Sequence, residues 1–393
     1  MKKSSSALIV LLIPIILFTL KRKDKEETGT LMVGAQQFED YVSLLKGKRV
    51  GLVVNQTSLV GSSHLIDTLI SLHVDVKKVF APEHGFRGTS DAGEQVENEV
   101  DKKTGTPIIS LYGSHKKPTK EDLEGLDVLI FDIQDVGVRF YTYISTMHYV
   151  MEACAEQDKK LFVLDRPNPN GHYVAGPVLD TAYQSFVGME PIPIVHGLTV
   201  GELAKMINGE GWLANGVACD LTVVKVKNYT HSTHYTLPVK PSPNLPNNRA
   251  IALYPSLCLF EPTVMSIGRG TKYPFQVIGF PDSTYGSFEF TPVSIEGASK
   301  YPKYENQNCF GENLSLEPKN TRFTLSWLIK YYKIYNKEDF FTSESFFDKL
   351  AGNATLRQQL QNGLTEEEIK KTWEPELDAY KKMREKYLLY KPR

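Results

Sequence analysis

The chain has 393 residues and a formal net charge of −1, and 41% of its residues are hydrophobic and 23% charged, as in folded globular proteins. It is long enough for two domains, and it predicts no nucleic-acid partner because no basic stripe interleaved with aromatic residues occurs outside the amino terminus. The four cysteines are widely spaced and lack a zinc-ligand pattern, so we expect buried thiols and no metal site.

Residues 1–30 have the composition of an export signal or amino-terminal anchor followed by a linker. Lys2 and Lys3 precede an apolar run at 7–20 that is short for a membrane span, and neither a small-residue cleavage site nor a lipid-anchor cysteine follows it. Whether the segment is cleaved therefore stays open. We expect an exported protein, periplasmic or envelope-associated in a bacterium, whose membrane attachment would run through this segment only.

Apolar strands alternate with helical stretches from residue 48 to about residue 205. Crossover helices are predicted at 64–72 and 144–157, and the strands run into polar loops after Val54, Ala81, Phe131 and Leu164. This alternation predicts an α/β fold with a Rossmann-like, doubly wound and mostly parallel sheet, because such strands are buried under helices on both faces. Their carboxyl ends share one crevice, where we expect the chemistry.

The sequence changes character past residue 205, where an edge strand at 220–226 precedes a stretch rich in proline and asparagine. We place the domain boundary in that stretch. A Rossmann-like catalytic domain then spans residues 31–243, and a smaller α+β carboxyl-terminal domain, residues 244–393, completes the cleft. The second domain closes with predicted helices near 323–335, 346–350 and 366–387.

Several cofactor and nucleophile motifs are absent from the sequence. No G-x-G-x-x-G follows the first strand, and no phosphate loop, G-x-S-x-G turn or H-E-x-x-H helix occurs. A nicotinamide or flavin enzyme is therefore disfavoured, and an amidase or peptidase would lack both a nucleophile motif and a metal set. We expect no cofactor.

The segment after the strand that ends at Ala81 holds three ionisable residues close together. Pro82 ends the strand because it cannot donate a ladder hydrogen bond, and Glu83, His84 and Arg87 follow beside two glycines. A glutamate in this setting is a poor helix cap and a good reactive group. The acidic stretch at 91–103 suits a lid over the crevice or a merely solvated excursion.

Carboxylates and guanidinium groups follow several predicted strands. The acids are Glu83, Asp132, Asp135 and Asp165, and the cations beside them are Arg87, Arg139 and Arg166. Paired carboxylates in one cleft are what glycoside hydrolysis requires, one to protonate the leaving oxygen and a second group to activate water or stabilise an oxocarbenium ion. The same arrangement suits a structural salt-bridge network, because acids at strand ends often cap the following helix. Both interpretations stay open, with Glu83 favoured as reactive.

Six sequence blocks resemble the exo-β-N-acetylmuramidase (NamZ) family, formerly a domain of unknown function. They are APEHGFRG (81–88), FDIQDVGVRFYTY (131–143), LDRPNP (164–169), HGLTVGEL (196–203), PSPN (241–244) and GRGT (268–271). The resemblance runs in order from about residue 48 to the carboxyl terminus. It implies a Rossmann-like domain, a smaller carboxyl-terminal domain, and removal of N-acetylmuramic acid (MurNAc) from the non-reducing ends of peptidoglycan fragments.

The resemblance also implies a catalytic acid, because the glutamate of the family's P-E-H-G block maps onto Glu83. We predict Glu83, Asp132 and Asp165 as catalytic residues, although the family's second catalytic group cannot be carried over to one residue. The predicted substrate-binding residues lie in the strand-end loops and the family blocks, and they are Asn55, His84, Arg87, Gln134, Asp135, Arg139, Tyr141, Arg166, Asn168, His196 and Arg269.

MurNAc carries a lactyl carboxylate, an anion that a guanidinium group can bind bidentately. Candidate receivers are Arg139, Arg166 and Arg269, and pairing with nearby aspartates is the alternative for each. Tyr141 and Tyr143 would stack on a sugar face or pack in the core. The leading hypothesis is an exo-glycosidase acting on peptidoglycan-derived MurNAc-GlcNAc glycans in cell-wall turnover or recycling. The competing hypothesis is a non-catalytic glycan-binding protein of the envelope that uses the same crevice.

Overall fold

The computed structural model describes residues 29–83, 85–86, 99–318 and 321–391. Its strands are β1 (Arg49–Val54), β2 (Leu59–Val60), β3 (Ser63–His64), β4 (Asp75–Ala81), β5 (Glu99–Val100), β6 (Pro107–Ser110), β7 (Val128–Asp132), β8 (Lys160–Leu164), β9 (Ala175–Val178), β10 (Pro193–Val195), β11 (Asp220–Val224), β12 (Val277–Phe280), β13 (Phe288–Phe290) and β14 (Cys309–Asn313). Its α-helices are α1 (Phe38–Tyr41), α2 (Leu65–Ser71), α3 (Lys120–Leu123), α4 (Tyr143–Glu156), α5 (Val200–Gly209), α6 (Asn248–Leu257), α7 (Ser326–Tyr335), α8 (Glu344–Ala351), α9 (Thr355–Gln361) and α10 (Glu366–Arg384).

The central sheet has seven strands in the order β11-β8-β7-β1-β4-β6-β5. All neighbours are parallel except β5, which runs antiparallel to β6. Numbered along the chain and read from the β6 side, the six parallel strands have the order 3-2-1-4-5-6, which is that of a doubly wound Rossmann-type sheet. The predicted fold class is confirmed. The strand order reverses between β1 and β7, which is where such folds form their binding crevice.

The strands read as continuous apolar runs because both faces of the sheet are covered. Alternate residues of β7 enter different hydrophobic clusters, with Leu129 and Phe131 on one face and Val128 and Ile130 on the other. Helices α4 and α5 pack on the first face, whereas α1 and α2 pack on the second. All four cysteines are buried and free, as the sequence predicted.

The carboxyl-terminal region adds a three-stranded antiparallel sheet, β12-β14-β13, and helices α7 to α10. Its apolar residues, Phe260, Tyr331 and Phe347 among them, belong to the same cluster as the first face of the central sheet. The chain end then returns to the first domain, where the Tyr390 hydroxyl donates to Asp165 Oδ2 at 2.5 Å. The two regions therefore share one core.

The acidic stretch predicted at 91–103 is partly an element of the sheet. Residues 91–98 lie outside the described residues, whereas Glu99–Val100 form the edge strand β5. Within the part of the chain that the structure describes, no helix has the length and apolar character needed to cross a membrane. The predicted export segment is not among the described residues.

Candidate active site

A cavity of about 270 Å³ lies at the carboxyl ends of the central strands, against the carboxyl-terminal region. Its wall combines aromatic rings with a few polar side chains, which is the composition typical of small-molecule sites. The lining residues are Glu83, Tyr112, Phe140, Tyr141, Thr142, Tyr143, Phe186, Val187, Ser242, Asn244, Leu245, Tyr254, Cys258, Glu261, Arg269, Phe275, Phe346 and Leu350.

Glu83 reaches this wall because β4 ends at Ala81 and Pro82 turns the chain away from the sheet. The backbone N–H of Gly85 donates to the Pro82 carbonyl at 3.0 Å, and Gly85 has φ +72°, a conformation that glycine adopts readily. Thr142 donates to Glu83 Oε2 at 3.0 Å, whereas Oε1 accepts no hydrogen bond from any described residue. The half-buried carboxyl group is therefore oriented on one side and available to a ligand on the other.

Three tyrosine rings form one side of the cavity. The ring of Tyr141 packs edge-on against Tyr143 at 4.9 Å and against Tyr254 at 6.0 Å between centroids. Burial raises the pKa of all three phenols, so each stays protonated and can donate a hydrogen bond. The Tyr141 hydroxyl is buried and has no hydrogen-bond partner among the described residues. An unpaired donor of this kind is costly unless a ligand or water completes it.

Arg269 lies on the opposite side of the cavity, paired with Glu261. Its Nε and Nη2 atoms both lie 2.7 Å from Glu261 Oε1, and its guanidinium group lies over the Phe275 ring at 4.9 Å. The flanking Gly268 and Gly270 both have φ +78°, and a Cβ atom on either would approach a backbone oxygen to 2.6 or 2.5 Å. The GRGT block thus folds this way because only glycine permits the turn.

The other two predicted catalytic carboxylates lie away from the cavity wall. Asp132 is fully buried, and it accepts hydrogen bonds from Arg166 Nε at 2.6 Å and Nη2 at 2.8 Å. Asp165 is fully buried beneath α5, where it accepts from the Gly201 N–H at 2.8 Å and the Thr199 hydroxyl at 2.7 Å. Burial raises the pKa of Asp165 to about 6. The structure therefore gives Asp132, Asp165 and Arg166 positions in support of the loops, and their contact with substrate stays an untested prediction.

Arg139 also lies behind the wall. Its Nη1 donates to the carbonyls of Pro177 and Ile192 at 2.8 and 2.7 Å, and its Nη2 donates to those of Leu350 and Ala351 at 2.9 and 2.8 Å. The side chain is fully buried, and burial lowers its pKa to about 9. A sugar carboxylate would have to displace these four carbonyls, so the geometry corrects our placement of Arg139 on the substrate face. It holds the end of α8, including wall residue Leu350, against the first domain.

The remaining predicted polar residues form a buried layer under the loops, and they are Asn55, Gln134, Asp135, Asn168 and His196. Asn168 uses its side chain entirely within the protein, donating to the Leu198 carbonyl at 2.7 Å and accepting from the Asn170 N–H at 2.7 Å. Asn55 Oδ1 accepts from Thr57, and Gln134 Nε2 donates to backbone carbonyls. None of the five lines the described cavity wall, so they too are supports rather than observed ligand contacts.

Asp135 and His196 form a buried pair in this layer, with Asp135 Oδ2 lying 3.8 Å from His196 Nε2. Burial raises the pKa of Asp135 to about 7, although hydrogen bonds from the N–H groups of Gly137 and Val136 act to lower it. Burial also lowers the pKa of His196 to about 3, helped by the charges of Arg384 and Arg139. The imidazole is therefore neutral at neutral pH.

Three of the predicted catalytic and substrate-binding residues thus line the cavity, namely Glu83, Tyr141 and Arg269, and Tyr143, the other stacking candidate, lines it too. The predicted residues His84 and Arg87 lie outside the described residues. Sequence reasoning missed the roles of Thr142, Tyr254, Glu261 and Phe346 in the wall. Tyr254 and Cys258 have the i, i+4 spacing of a core helix face, and only their position beside the GRGT turn distinguishes them. Among the described residues, no group of three or more histidine, cysteine or acidic side chains is arranged to hold a metal ion.

The fold and the cavity define a doubly wound α/β protein with a small-ligand site at the carboxyl end of its sheet. The chain belongs to the exo-β-N-acetylmuramidase NamZ family, since the family's N-terminal model matches residues 50–249 and its C-terminal model matches residues 252–390. It is 41% identical over 392 residues to the peptidoglycan β-N-acetylmuramidase NamZ of Bacillus subtilis (strain 168), covering 94% of this chain and 92% of that protein.

Two crystal structures of DUF1343 family proteins from Bacteroides fragilis are also similar. The first has 47% sequence identity and a TM-score of 0.85, covering 93% of this chain and 100% of the other. The second has 31% identity and a TM-score of 0.79, covering 92% and 99%. The resemblance recognised in the sequence is therefore confirmed.

Proposed function

We propose that this protein is an exo-acting glycoside hydrolase that releases MurNAc from the non-reducing ends of peptidoglycan fragments. The observation that carries the proposal is the placement of Glu83, the glutamate of the P-E-H-G block, on the wall of an aromatic cavity in a chain of the NamZ family. The substrate class is peptidoglycan-derived MurNAc-GlcNAc glycans, and the setting is cell-wall turnover or recycling.

Glu83 is the general acid in this proposal. As the bond between C1 of MurNAc and the leaving oxygen breaks, the carboxyl proton of Glu83 passes to that oxygen. The Thr142 hydroxyl holds Oε2, so that Oε1 is the oxygen that faces the ligand. A positioned acid of this kind contributes on the order of 10²–10⁴-fold to the rate.

Arg269 is the receiver of the lactyl carboxylate. Its Nε and Nη2 are engaged by Glu261, but its Nη1 donates to no described residue and remains available. The Tyr141 hydroxyl offers a further donor inside the cavity, and Phe346, which is 39% exposed, supplies an apolar edge for a sugar face. Together they would select a sugar that carries both an anion and apolar faces.

We further propose that the protein is exported and works in the periplasm or at the envelope, with residues 1–30 as its export signal or amino-terminal anchor. The support is the lysine pair and apolar run of that segment. A peptidoglycan substrate is consistent with this location. A binding protein without activity is the weaker alternative, because the chain carries the family's presumed catalytic glutamate on its cavity wall.

The direct test is product analysis after the full chain is incubated with a MurNAc-GlcNAc disaccharide. We expect free MurNAc and free GlcNAc in equal amounts. Intact disaccharide together with measurable binding would overturn the hydrolase assignment and support the glycan-binding alternative. A longer glycan with MurNAc at its non-reducing end should lose that residue first, which separates exo from internal cleavage.

A further inference from the structure

The cavity contains a second carboxylate besides Glu83. Glu261 follows a single 3-10 turn (Cys258–Phe260) after α6, and its side chain is 24% exposed on the wall. Both contacting nitrogens of Arg269 approach the same oxygen, Oε1. The other oxygen, Oε2, accepts no hydrogen bond from the residues that the structure describes. One oxygen is thus anchored while the other is left for a ligand.

Hydrogen bonds from two other segments hold the backbone around Glu261 in place. The ammonium group of the half-buried Lys303 donates to the carbonyls of Glu261 at 3.3 Å, of Met265 at 3.1 Å and of Thr263. On the other side, the Pro262 carbonyl accepts from the Thr342 N–H at 2.9 Å. A reactive group needs this kind of support, because small displacements of a catalytic side chain cost large factors in rate.

Glu83 and Glu261 both line the cavity whose wall includes Tyr141, Tyr143 and Tyr254. Glu83 accepts a hydrogen bond from Thr142, the residue before Tyr143, and its charge, after burial, raises the pKa of Tyr143. The pKa of Tyr254 is likewise raised, first by burial, then by Cys258, and also by the charge of Glu261. Tyr141 packs edge-on against both of these rings. The two carboxylates therefore line one cavity beside different rings of the same tyrosine cluster.

We propose that Glu261 is the second catalytic carboxylate and acts as the general base toward water. This inference rests on the proposed hydrolase function and assigns a second group to the same reaction. Glu261 Oε2 takes a proton from a water molecule while the water oxygen bonds to C1 of MurNAc. The bond from C1 to the leaving oxygen breaks at the same time, and that oxygen receives the Glu83 proton. The net reaction breaks one glycosidic bond and consumes one water molecule.

A general base and a direct nucleophile require different spacings of the two carboxyl groups. Inverting glycosidases keep their two carboxyl groups about 6.5–9.5 Å apart to leave room for water, whereas retaining enzymes keep them about 5–5.5 Å apart. A general base at Glu261 requires the wider arrangement, with a water molecule between its Oε2 and C1 of MurNAc. Hydrolysis of the β-linkage should therefore release MurNAc first as the α-anomer.

Two substitutions test the assignment. Glu261→Gln keeps an acceptor for Arg269 and removes the base, and we expect kcat on the disaccharide to fall on the order of 10²–10⁴-fold with the melting temperature nearly unchanged. Asp127→Asn is the matched control, because Asp127 also pairs with an arginine, Arg49 at 2.8 Å, at the surface and outside the cavity. That variant should keep the parental kcat. A parental kcat for Glu261→Gln would overturn the proposal.

Azide distinguishes a catalytic role from a structural one. In Glu261→Ala the vacated space admits this small anion, which attacks C1 of an activated aryl β-MurNAc glycoside without needing a base. We expect azide to restore turnover and to give the α-configured MurNAc azide. If Glu261→Ala instead keeps the parental kcat with a raised KM, and azide does not accelerate it, Glu261 only positions Arg269 for binding and the proposal is overturned.

The anomer of the first product completes the test, read by proton NMR before mutarotation. The α-anomer supports the base assignment, and the β-anomer overturns it. Failure of this inference is distinct from failure of the proposed function. If the parent protein releases no MurNAc the hydrolase itself is wrong, whereas an active parent with an equally active Glu261→Gln variant removes only the role of Glu261.

Discussion

Thr142 donates a hydrogen bond to Oε2 of Glu83 at 3.0 Å, which ties the residue before α4 to the loop after β4. The bond engages Oε2 and leaves Oε1 as the oxygen that the proposed general acid would present to a leaving group. Two loops from neighbouring parts of the sheet thereby define the orientation of one reactive side chain.

Thr142→Val should lower kcat about tenfold, because losing one hydrogen bond to a carboxyl group typically costs about 1–2 kcal/mol and 1.4 kcal/mol is a factor of ten in rate. KM should change little, since the methyl groups keep the shape of the wall. Steady-state kinetics on the disaccharide measure both. Thr142→Ser, which keeps the hydroxyl, should restore most of the rate. Equal losses in the Val and Ser variants would contradict an orienting role.

Glu83→Gln should reduce release of MurNAc from the disaccharide on the order of 10²–10⁴-fold, because the amide keeps the shape of the side chain and has no proton to give. An aryl glycoside with a good leaving group needs little protonation, so its hydrolysis should fall much less. The comparison of the two substrates is the measurement. Near-normal release from the disaccharide would remove Glu83 as the acid, and a collapsed melting temperature would return it to a structural role.

Arg269→Gln should abolish selectivity for the free lactyl carboxylate. Charged hydrogen bonds contribute about 1.5–3 kcal/mol, so the parent should prefer the acid over its methyl ester by roughly 10–100-fold in kcat/KM. The ratio for acid and ester substrates is independent of any general loss of rate through Glu261. If the variant keeps the parental ratio, another donor receives the carboxylate.

The sequence predicted the fold well because its information is local. Long apolar runs can be buried only under helices on both faces, so β1, β7 and β8 predict a parallel sheet before their partners are known. Glu83 was recognisable for the same reason, since a proline and glycines around an acid exclude the usual capping role. The two glycines that flank Arg269 likewise predict a turn.

The roles of the other predicted site residues depend on the direction in which each side chain points, and the local sequence does not determine that direction. Asp132 is the last residue of β7, and it alternates with Phe131, which faces the tyrosine cluster of the cavity. Its side chain therefore lies on the opposite face of the sheet, where it meets Arg166. Asp165 is enclosed by α5 and by Tyr390, more than two hundred residues later, and no local pattern foretells that contact.

Arg139→Lys should destabilise the fold. The three donors of a lysine ammonium sit on one nitrogen and cannot replace Nη1 and Nη2, which serve two separate pairs of carbonyls. The Ile192 carbonyl would keep the Leu179 N–H, whereas any of the other three carbonyls left buried without a donor would cost about 1–3 kcal/mol. Urea unfolding should show a lower midpoint with an unchanged slope. Arg49→Lys, at the exposed pair with Asp127, is the control and should change the midpoint little. A midpoint equal to that of the parent would mean that Arg139 is not a clamp between the two regions.

Asp135→Asn should change how stability depends on pH. The folded-state pKa of Asp135 is raised by burial to about 7, against an unfolded value of about 3.9, so between these pH values the folded protein holds a proton that the unfolded chain has lost. The free energy of unfolding of the parent therefore falls as pH rises through this window, by up to about 1.4 kcal/mol per pH unit from this group. His196, with its pKa lowered to about 3, acts in the opposite direction, because the unfolded chain binds its proton between about pH 3 and 6.5.

Asparagine does not titrate and still accepts the Gly137 N–H, so the variant keeps only the His196 contribution of the pair. Its stability should rise relative to that of the parent from pH 4 to 7 and then run parallel to it. Urea unfolding at several pH values measures the difference, and parallel profiles over the whole range would show that Asp135 does not hold the extra proton.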